Sequence, residues 1–328
     1  MKNIITFISF FACGVCFAAH SDESTVEDVA LAGPAAVISY PMMVMATQQP
    51  LANKGVKLSF TRWKNPQQLR AMVVGKQVDF TAMPSNLAAT FYNRGHSLSL
   101  LNVAIWDIMA VVTRDEHYRA GNVIEQLVGK EIVVPFKNDM PNIVLEQLLT
   151  AQLGKQANKV NIRQSHNFAD SAQLLLAGQV DYALLIEPLT SIVLFQSKQQ
   201  GKQPLVRALN ISEAWQQTFP DSPKIPQAGL VANTSVNQNK VLVNSINHAY
   251  SKAALWCQQN VDACADIVTN YLPKMPKPAL IQAIKNTGLD VVPAKQARPH
   301  LESFYRLLAN TDANRIGKKL PDSDFYWD

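Results

Sequence analysis

Apolar and polar positions along this chain follow two periods in turn. Short apolar runs bounded by polar or turn residues, at Val56 to Arg62, Glu131 to Pro135 and Leu205 to Leu209, predict strands. Apolar residues at helical spacing predict helices over Tyr40 to Leu51, Met140 to Leu153, Glu187 to Gln199 and Val236 to Gln259. Strands alternating with helices imply parallel sheets covered on both faces, the α/β class.

One pattern occurs twice. Residues 65–84 and 167–188 each begin at Asn and run through a helix-period segment to a Gly, Gly75 or Gly178. Each continues with Gln-Val-Asp-aromatic (Gln77 to Phe80, Gln179 to Tyr182), a short buried strand, and Pro84 or Pro188. Each Gly is expected at the C′ position that stops its helix, and each Pro marks the exit from a strand into a loop. A unit repeated about 100 residues apart points to two similar lobes rather than a solenoid of short repeats. Residues 98–113 and 228–233 read as two crossings between lobes. The expected division is 28–107 plus 232–328 for one lobe and 108–231 for the other. In sheets of this kind a ligand sits beyond the carboxyl ends of the strands, so two facing lobes make a cleft lined by strand-exit loops.

The first residues depart from this alternation. Lys2 precedes an apolar run from Ile4 to Phe17, and Cys16-Phe17-Ala18 ends in the small residue that signal peptidase requires, so residues 1–18 are expected to be a signal peptide cleaved after Ala18. A lipid anchor on Cys13 or Cys16 is the alternative, but neither Phe10-Phe11-Ala12 nor Cys13-Gly14-Val15 forms a Leu-small-small signal. No later apolar run reaches the length of a membrane span, so the expectation is a periplasmic chain with no membrane insertion. Hydrophobic residues make up 48% of the 328 and charged residues 17%, which excludes disorder. Loss of residues 1–18 removes one Lys and lowers the net charge from +5 to +4. That charge is scattered, with no basic run longer than Lys318-Lys319, and nucleic acid is not an expected partner.

Cys257 and Cys264 remain after cleavage. Asp262 reads as the N-cap of a helix that follows a turn, and in an oxidising compartment the two thiols could close a disulfide across that turn. Two unpaired buried thiols are the other reading.

Several segments, in this order, carry a resemblance: Ala32-Gly33-Pro34, Tyr40-Pro41, Gly75 to Phe80 with Met83-Pro84-Ser85-Asn86, Leu127 to Pro135, Asp181 to Pro188, and Ile225-Pro226-Gln227-Ala228-Gly229. Over residues 28–290 the chain resembles the nitrate/sulfonate/taurine-type substrate-binding proteins of ABC transporters, a group that includes pyrimidine-precursor binders. The resemblance implies a two-lobed type II periplasmic-binding-protein fold, each lobe a mostly parallel sheet flanked by helices, joined by two crossover segments. It also implies hinge closure on a small-molecule ligand, and delivery by a monomer to a permease with its ATPase. Members that take anions commonly carry Ser or Thr where the second lobe's first helix opens. Here that position reads Asn138-Asp139-Met140-Pro141, which speaks against an anionic substrate.

Motif position and strand-exit logic nominate the ligand-binding residues. Ser85 and Asn86 open a helix after a strand as hydrogen-bonding groups, with a helix cap as the plain alternative for Ser85. Asn138 and Asp139 stand at another helix start, where Asp139 reads equally as an N-cap. Glu187 leaves an apolar strand, and its alternative is a solvated loop residue. Two carboxylates on one lobe would favour a ligand with amino or ring N–H donors. Tyr40, Trp106 and Phe168 are aromatic candidates for a stacking wall, with core packing as the alternative. Gln227 is placed near the hinge. The cluster Met42-Met43-Val44-Met45 reads as core or cleft lining rather than a copper site.

No enzyme chemistry and no cofactor is expected. His20, His96, His117, His166, His248 and His300 have no ligand-type spacing, and neither a GxSxG elbow nor a P-loop nor a dinucleotide fingerprint is present. The remaining alternatives are a ligand-sensing protein that feeds a sensor kinase and, on the same fold, a pyrimidine-synthase-like enzyme. The latter would require a Cys-rich motif that this chain lacks.

Overall fold

The computed structural model describes residues 26–328 apart from 116, 120, 122, 138 and 201–203. The expected leader and the candidate contact Asn138 therefore lie outside the described residues. The chain enters through β1 (Glu27–Gly33), α1 (Tyr40–Gln48), β2 (Val56–Arg62), α2 (Pro66–Val74), β3 (Phe80–Pro84), α3 (Ser85–Asn93), β4 (Ser99–Leu100) and β5 (Asn102–Ile105). It crosses to a second sheet as β6 (Met109–Thr113), α4 (Val123–Gln126), β7 (Glu131–Pro135), α5 (Met140–Leu153), β8 (Asn161–Ser165), α6 (Phe168–Leu176) and β9 (Tyr182–Ile186), followed by α7 (Leu189–Gln199), β10 (Val206–Asn210) and α8 (Ile211–Thr218). It returns through β11 (Ala228–Ala232), and α9 (Lys240–Gln259), α10 (Val261–Tyr271), α11 (Lys277–Asn286), β12 (Leu289–Pro293) and α12 (Ala294–Thr311) complete the first lobe.

The first sheet has the order β12-β5-β11-β3-β1-β2, with β4 beside β11, and the second has the order β10-β6-β9-β7-β8. The parallel character expected of both sheets holds for β2-β1-β3 and β8-β7-β9. It does not extend further: β6 and β11, the strands that arrive from the opposite lobe, run antiparallel to their neighbours. A strand entering a sheet directly from a crossover comes from the opposite edge, without the helical return that makes neighbours parallel. Strand β11, which the expected boundary at 231 falls within, pairs with β3 from Ala228 to Ala232. An apolar run such as Ala228 to Ala232 fits the inside of either sheet, so its composition cannot choose between them.

Both copies of the repeated pattern fold as helix, strand and exit. Asn65 caps α2 by accepting from Gln68 N–H at 2.8 Å, and Asn167 caps α6 by accepting from Asp170 N–H at 2.9 Å. Gly178 takes the left-handed conformation (φ +74°) just beyond α6, as the C′ reading requires. Gly75 does not: its φ is −76°, and the left-handed residue is Lys76 at φ +51°. The stop is the same, displaced by one residue onto a side chain less suited to it.

Helices elsewhere start where local chemistry directs. Asp139 caps α5, accepting from Met140 N–H at 2.8 Å, with Pro141 in the first turn. Ser85 is not a cap, since α3 starts from Pro84 without a side-chain bond. Helix α10 starts from Asn260, which leaves Asp262 in the first turn rather than at the N-cap. Cys257 and Cys264 form a disulfide with Cα atoms 5.0 Å apart, tying the last turn of α9 to the start of α10. Met42, Met43 and Met45 are buried in the core beneath the first sheet.

Candidate functional site between the lobes

Four parallel strands, β1 and β3 in one lobe and β7 and β9 in the other, each run directly toward a helix start: α1, α3, α5 and α7. Their carboxyl ends therefore share one edge of each sheet. Contacts across the lobes bring these two edges together. The Asn86 amide at the start of α3 faces the Asp139 carboxylate at the start of α5 and lowers its pKa, as does the charge of Arg315, although burial dominates and raises it. The charge of Glu187, at the end of β9, reaches Tyr40 at the start of α1. Asn286, the last residue of α11 in the first lobe, donates to Glu187 Oε1 at 3.4 Å.

Four buried polar atoms at this junction have no hydrogen-bond partner among the described residues: Ser39 Oγ, Tyr40 OH, Asn86 Oδ1 and Thr190 Oγ1. Ser39, Tyr40 and Thr190 are wholly buried, and Asn86 is 6% exposed. Such groups are rare in folded proteins, and each costs about 1–3 kcal/mol while unsatisfied. Gly33 makes room for one of them, since a Cβ there would collide with Ser39 Oγ. The Tyr40 phenol is held far above its ordinary pKa, first by burial and then by the Glu187 charge, and stays protonated.

Glu187, expected to face the ligand or solvent, does neither with a free carboxylate. It is wholly buried, accepts from Ser191 N–H and Ser191 Oγ at 3.1 Å each, and pairs with Arg207 of β10. Ser85 is equally engaged. Its hydroxyl donates to the Pro226 carbonyl, its N–H to Gln227 O at 3.0 Å, and its carbonyl accepts from Tyr305 OH at 2.9 Å.

Trp106 and Gln227 meet at the crossovers. Gln227 N–H donates to Ile105 O at 2.9 Å and its Nε2 to Trp106 O at 3.2 Å, while Ser212 Oγ donates to Trp106 O at 3.0 Å. The Trp106 indole N–H donates to Asp290 O at 2.8 Å, with Lys224 Nζ 5.1 Å from the ring and His300 edge-on at 5.9 Å. Phe168 packs edge-on against Phe136 at 5.5 Å, at the head of α6 beyond β8.

The structure thus gathers Tyr40, Asn86, Asp139 and Glu187 at the facing edges, uses Ser85 to tie α3 to the second crossover, and joins Trp106 and Gln227 where the two crossovers meet. Sequence reasoning passed over Ser39, Thr190, Arg207, Asn286 and Arg315. Ser39 stands immediately before Tyr40, and Thr190 two residues after Pro188. Arg207 looks like any polar residue of an edge strand, and Asn286 and Arg315 carry no local signal.

No protein-family model matches the sequence, and no curated protein does. Solved structures do. The chain is similar to an ABC transporter protein from Parabacteroides distasonis (TM-score 0.75, 18% identity, 92% of this chain and 98% of that one). It is similar to the periplasmic aliphatic sulphonate binding protein SsuA from Escherichia coli (TM-score 0.66, 16% identity, 92% of each chain). It is also similar to the periplasmic nitrate-binding protein NrtA from Synechocystis PCC 6803 (TM-score 0.67, 14% identity, 92% of this chain and 87% of that one). At these identities the likeness defines the fold. The chain has the two-lobed α/β fold of the nitrate- and sulfonate-binding proteins of ABC transporters.

Proposed function

We propose that this protein is the periplasmic solute-binding component of an ABC importer. On this reading it captures a small organic molecule between its lobes and presents the closed form to a permease with its ATPase. The observation that carries the proposal is the set of four buried, unpartnered polar atoms at helix starts on the two facing sheet edges. A solute held there would meet groups from both lobes at once, so its binding energy would favour closure. The two crossovers supply the axis, where Trp106 and Gln227 link the segments that must rotate together. The mechanism is capture and release, with no bond made or broken. The apolar run after Lys2 supports export, and a monomer is sufficient, since both jaws come from one chain.

The test uses mature protein unfolded and refolded to strip carried-over ligand. A solute present at about 100 times its dissociation constant stabilises by roughly 2.7 kcal/mol, which moves the melting midpoint by a few degrees in a chain of this size. Small-angle scattering read on the same samples should show a smaller radius of gyration. Small polar solutes that change neither the midpoint nor the radius would count against the function.

A further inference from the structure

Helix α11 belongs to the first lobe, yet it packs against α7 of the second as well as against α10 and α9 of its own. It buries Ala279, Leu280, Ala283 and Ile284, while α7 buries Thr190, Ser191, Ile192 and Val193. Among the described residues, the polar bonds across this packing come from Asn286, the last residue of α11. Its Nδ2 donates to Glu187 Oε1 at 3.4 Å and to Ser191 Oγ at 3.5 Å.

Glu187 is a fixed target for that amide. Its Oε2 accepts from Ser191 N–H and its Oε1 from Ser191 Oγ, each at 3.1 Å, and Oε1 also pairs with Arg207. These groups all belong to the second lobe, so the buried carboxylate cannot turn away without breaking an ion pair. The bonds from Asn286 are longer than those from Ser191, and weaken first if the lobes move.

The contact lies beside the first crossover, residues 106–108. On the first-lobe side Leu289, three residues after Asn286, pairs with Ile105. On the second-lobe side Glu187 N–H donates to Ile108 O at 3.1 Å. The second crossover runs alongside, with Gln227 N–H donating to Ile105 O at 2.9 Å. If the lobes turn about these two segments, Asn286 meets Glu187 close to the axis. A small slip there turns the lobes further than the same slip at the cleft mouth, so a weak contact in this place has a strong hold on the angle.

We propose, resting on the solute-binding reading above, that Asn286 is a positioning residue that braces the angle between the lobes through the anchored Glu187 carboxylate. A solute whose binding state needs that angle then binds in proportion to the fraction of molecules that hold it.

The experiment is small-angle scattering at pH 7.5 on refolded, solute-stripped wild type, Asn286→Ala, Asn286→Asp and a control, Lys285→Glu, with melting midpoints read on the same samples. Asn286→Ala removes both bonds, and Asn286→Asp sets a second carboxylate, which only accepts, against Glu187. The radius of gyration should rise from wild type to Asn286→Ala to Asn286→Asp. The midpoint should barely move, since Asn286 is exposed, and Lys285→Glu should keep the wild-type radius. A merely structural Asn286 would lower the midpoint and leave the radius unchanged, overturning its positioning role. Equal radii in all four proteins, or a rise in Lys285→Glu as large as in Asn286→Asp, would overturn it as well. Taurine, 4-aminopyrimidine, pyrimidine and nitrate are then titrated calorimetrically. Any of these that binds the wild type should bind Asn286→Ala about two- to tenfold more weakly, the worth of one net hydrogen bond. Equal affinities would overturn the link from lobe angle to capture. Silence from all four compounds, with the radii in the expected order, would count against the solute-binding function and leave the brace standing.

Discussion

The two copies of the repeated pattern make the same helix-strand-exit unit, yet their exits are used oppositely. After β3 the first exit residue, Ser85, is saturated by the protein and the second, Asn86, is left with an open acceptor. After β9 the buried carboxylate of Glu187 is saturated by Arg207 and Ser191, and the open group is Thr190, three residues on. Each exit thus has one anchored residue and one unsatisfied residue. The anchored ones should govern stability and the unsatisfied ones binding, a separation that can be broken experimentally.

The largest effect is expected from Glu187→Ala. It removes the partner of Arg207 and the acceptor of two hydrogen bonds donated by Ser191, and should cost about 3 kcal/mol, the lower end for a broken buried ion pair because Arg207 keeps some solvent. Denaturant unfolding measures this, and a loss below about 1 kcal/mol would mean that the pair does not anchor the exit. Ser85→Ala comes next at about 1–2 kcal/mol, since it strands the buried Pro226 carbonyl.

The backbone stops of the two units offer a finer test. Lys76→Gly should stabilise by up to about 1 kcal/mol by relieving a left-handed side-chain-bearing residue, whereas Gly178→Ala should destabilise by about 1 kcal/mol for the converse reason. Equal shifts of the same sign would show that the stops do not differ in the way their φ angles say.

Smallest in stability and largest in binding are the open groups. Tyr40→Phe and Thr190→Val remove hydroxyls that have no partner among the described residues, so unfolding stability should change by less than about 0.5 kcal/mol, or rise, while solute affinity falls about tenfold or more. Asp139→Asn separates the pH effects. The raised pKa of Asp139 means that the folded chain holds this proton more tightly than the unfolded one. Relative to the variant, the wild type should therefore gain stability as pH falls from neutral toward the ordinary Asp range, and lose it as pH rises. Unfolding midpoints of both proteins across that range check the sign.

Much of this architecture can be read in the chain. The limits of β2, β7 and α5 coincide with their apolar periods, and Asp139 caps α5 where Pro141 requires a first turn. The reading stops where a partner is distant in sequence. Helix α7 starts at Leu189 rather than Glu187, because Glu187 is held back by Arg207, twenty residues away on another strand. The Ser85 hydroxyl found the Pro226 carbonyl, 141 residues on, instead of the helix end beside it.

By itself, then, the sequence determined the alternation of helix and strand, the doubling into two lobes and the strand exits where a site could lie. These follow from periodicity and capping, which act over a few residues. Tertiary structure alone decided which exit groups are satisfied and which stay open. Saturating a buried carboxylate or hydroxyl depends on what the opposite strand, crossover or lobe presents within about 3 Å, and no local pattern encodes that.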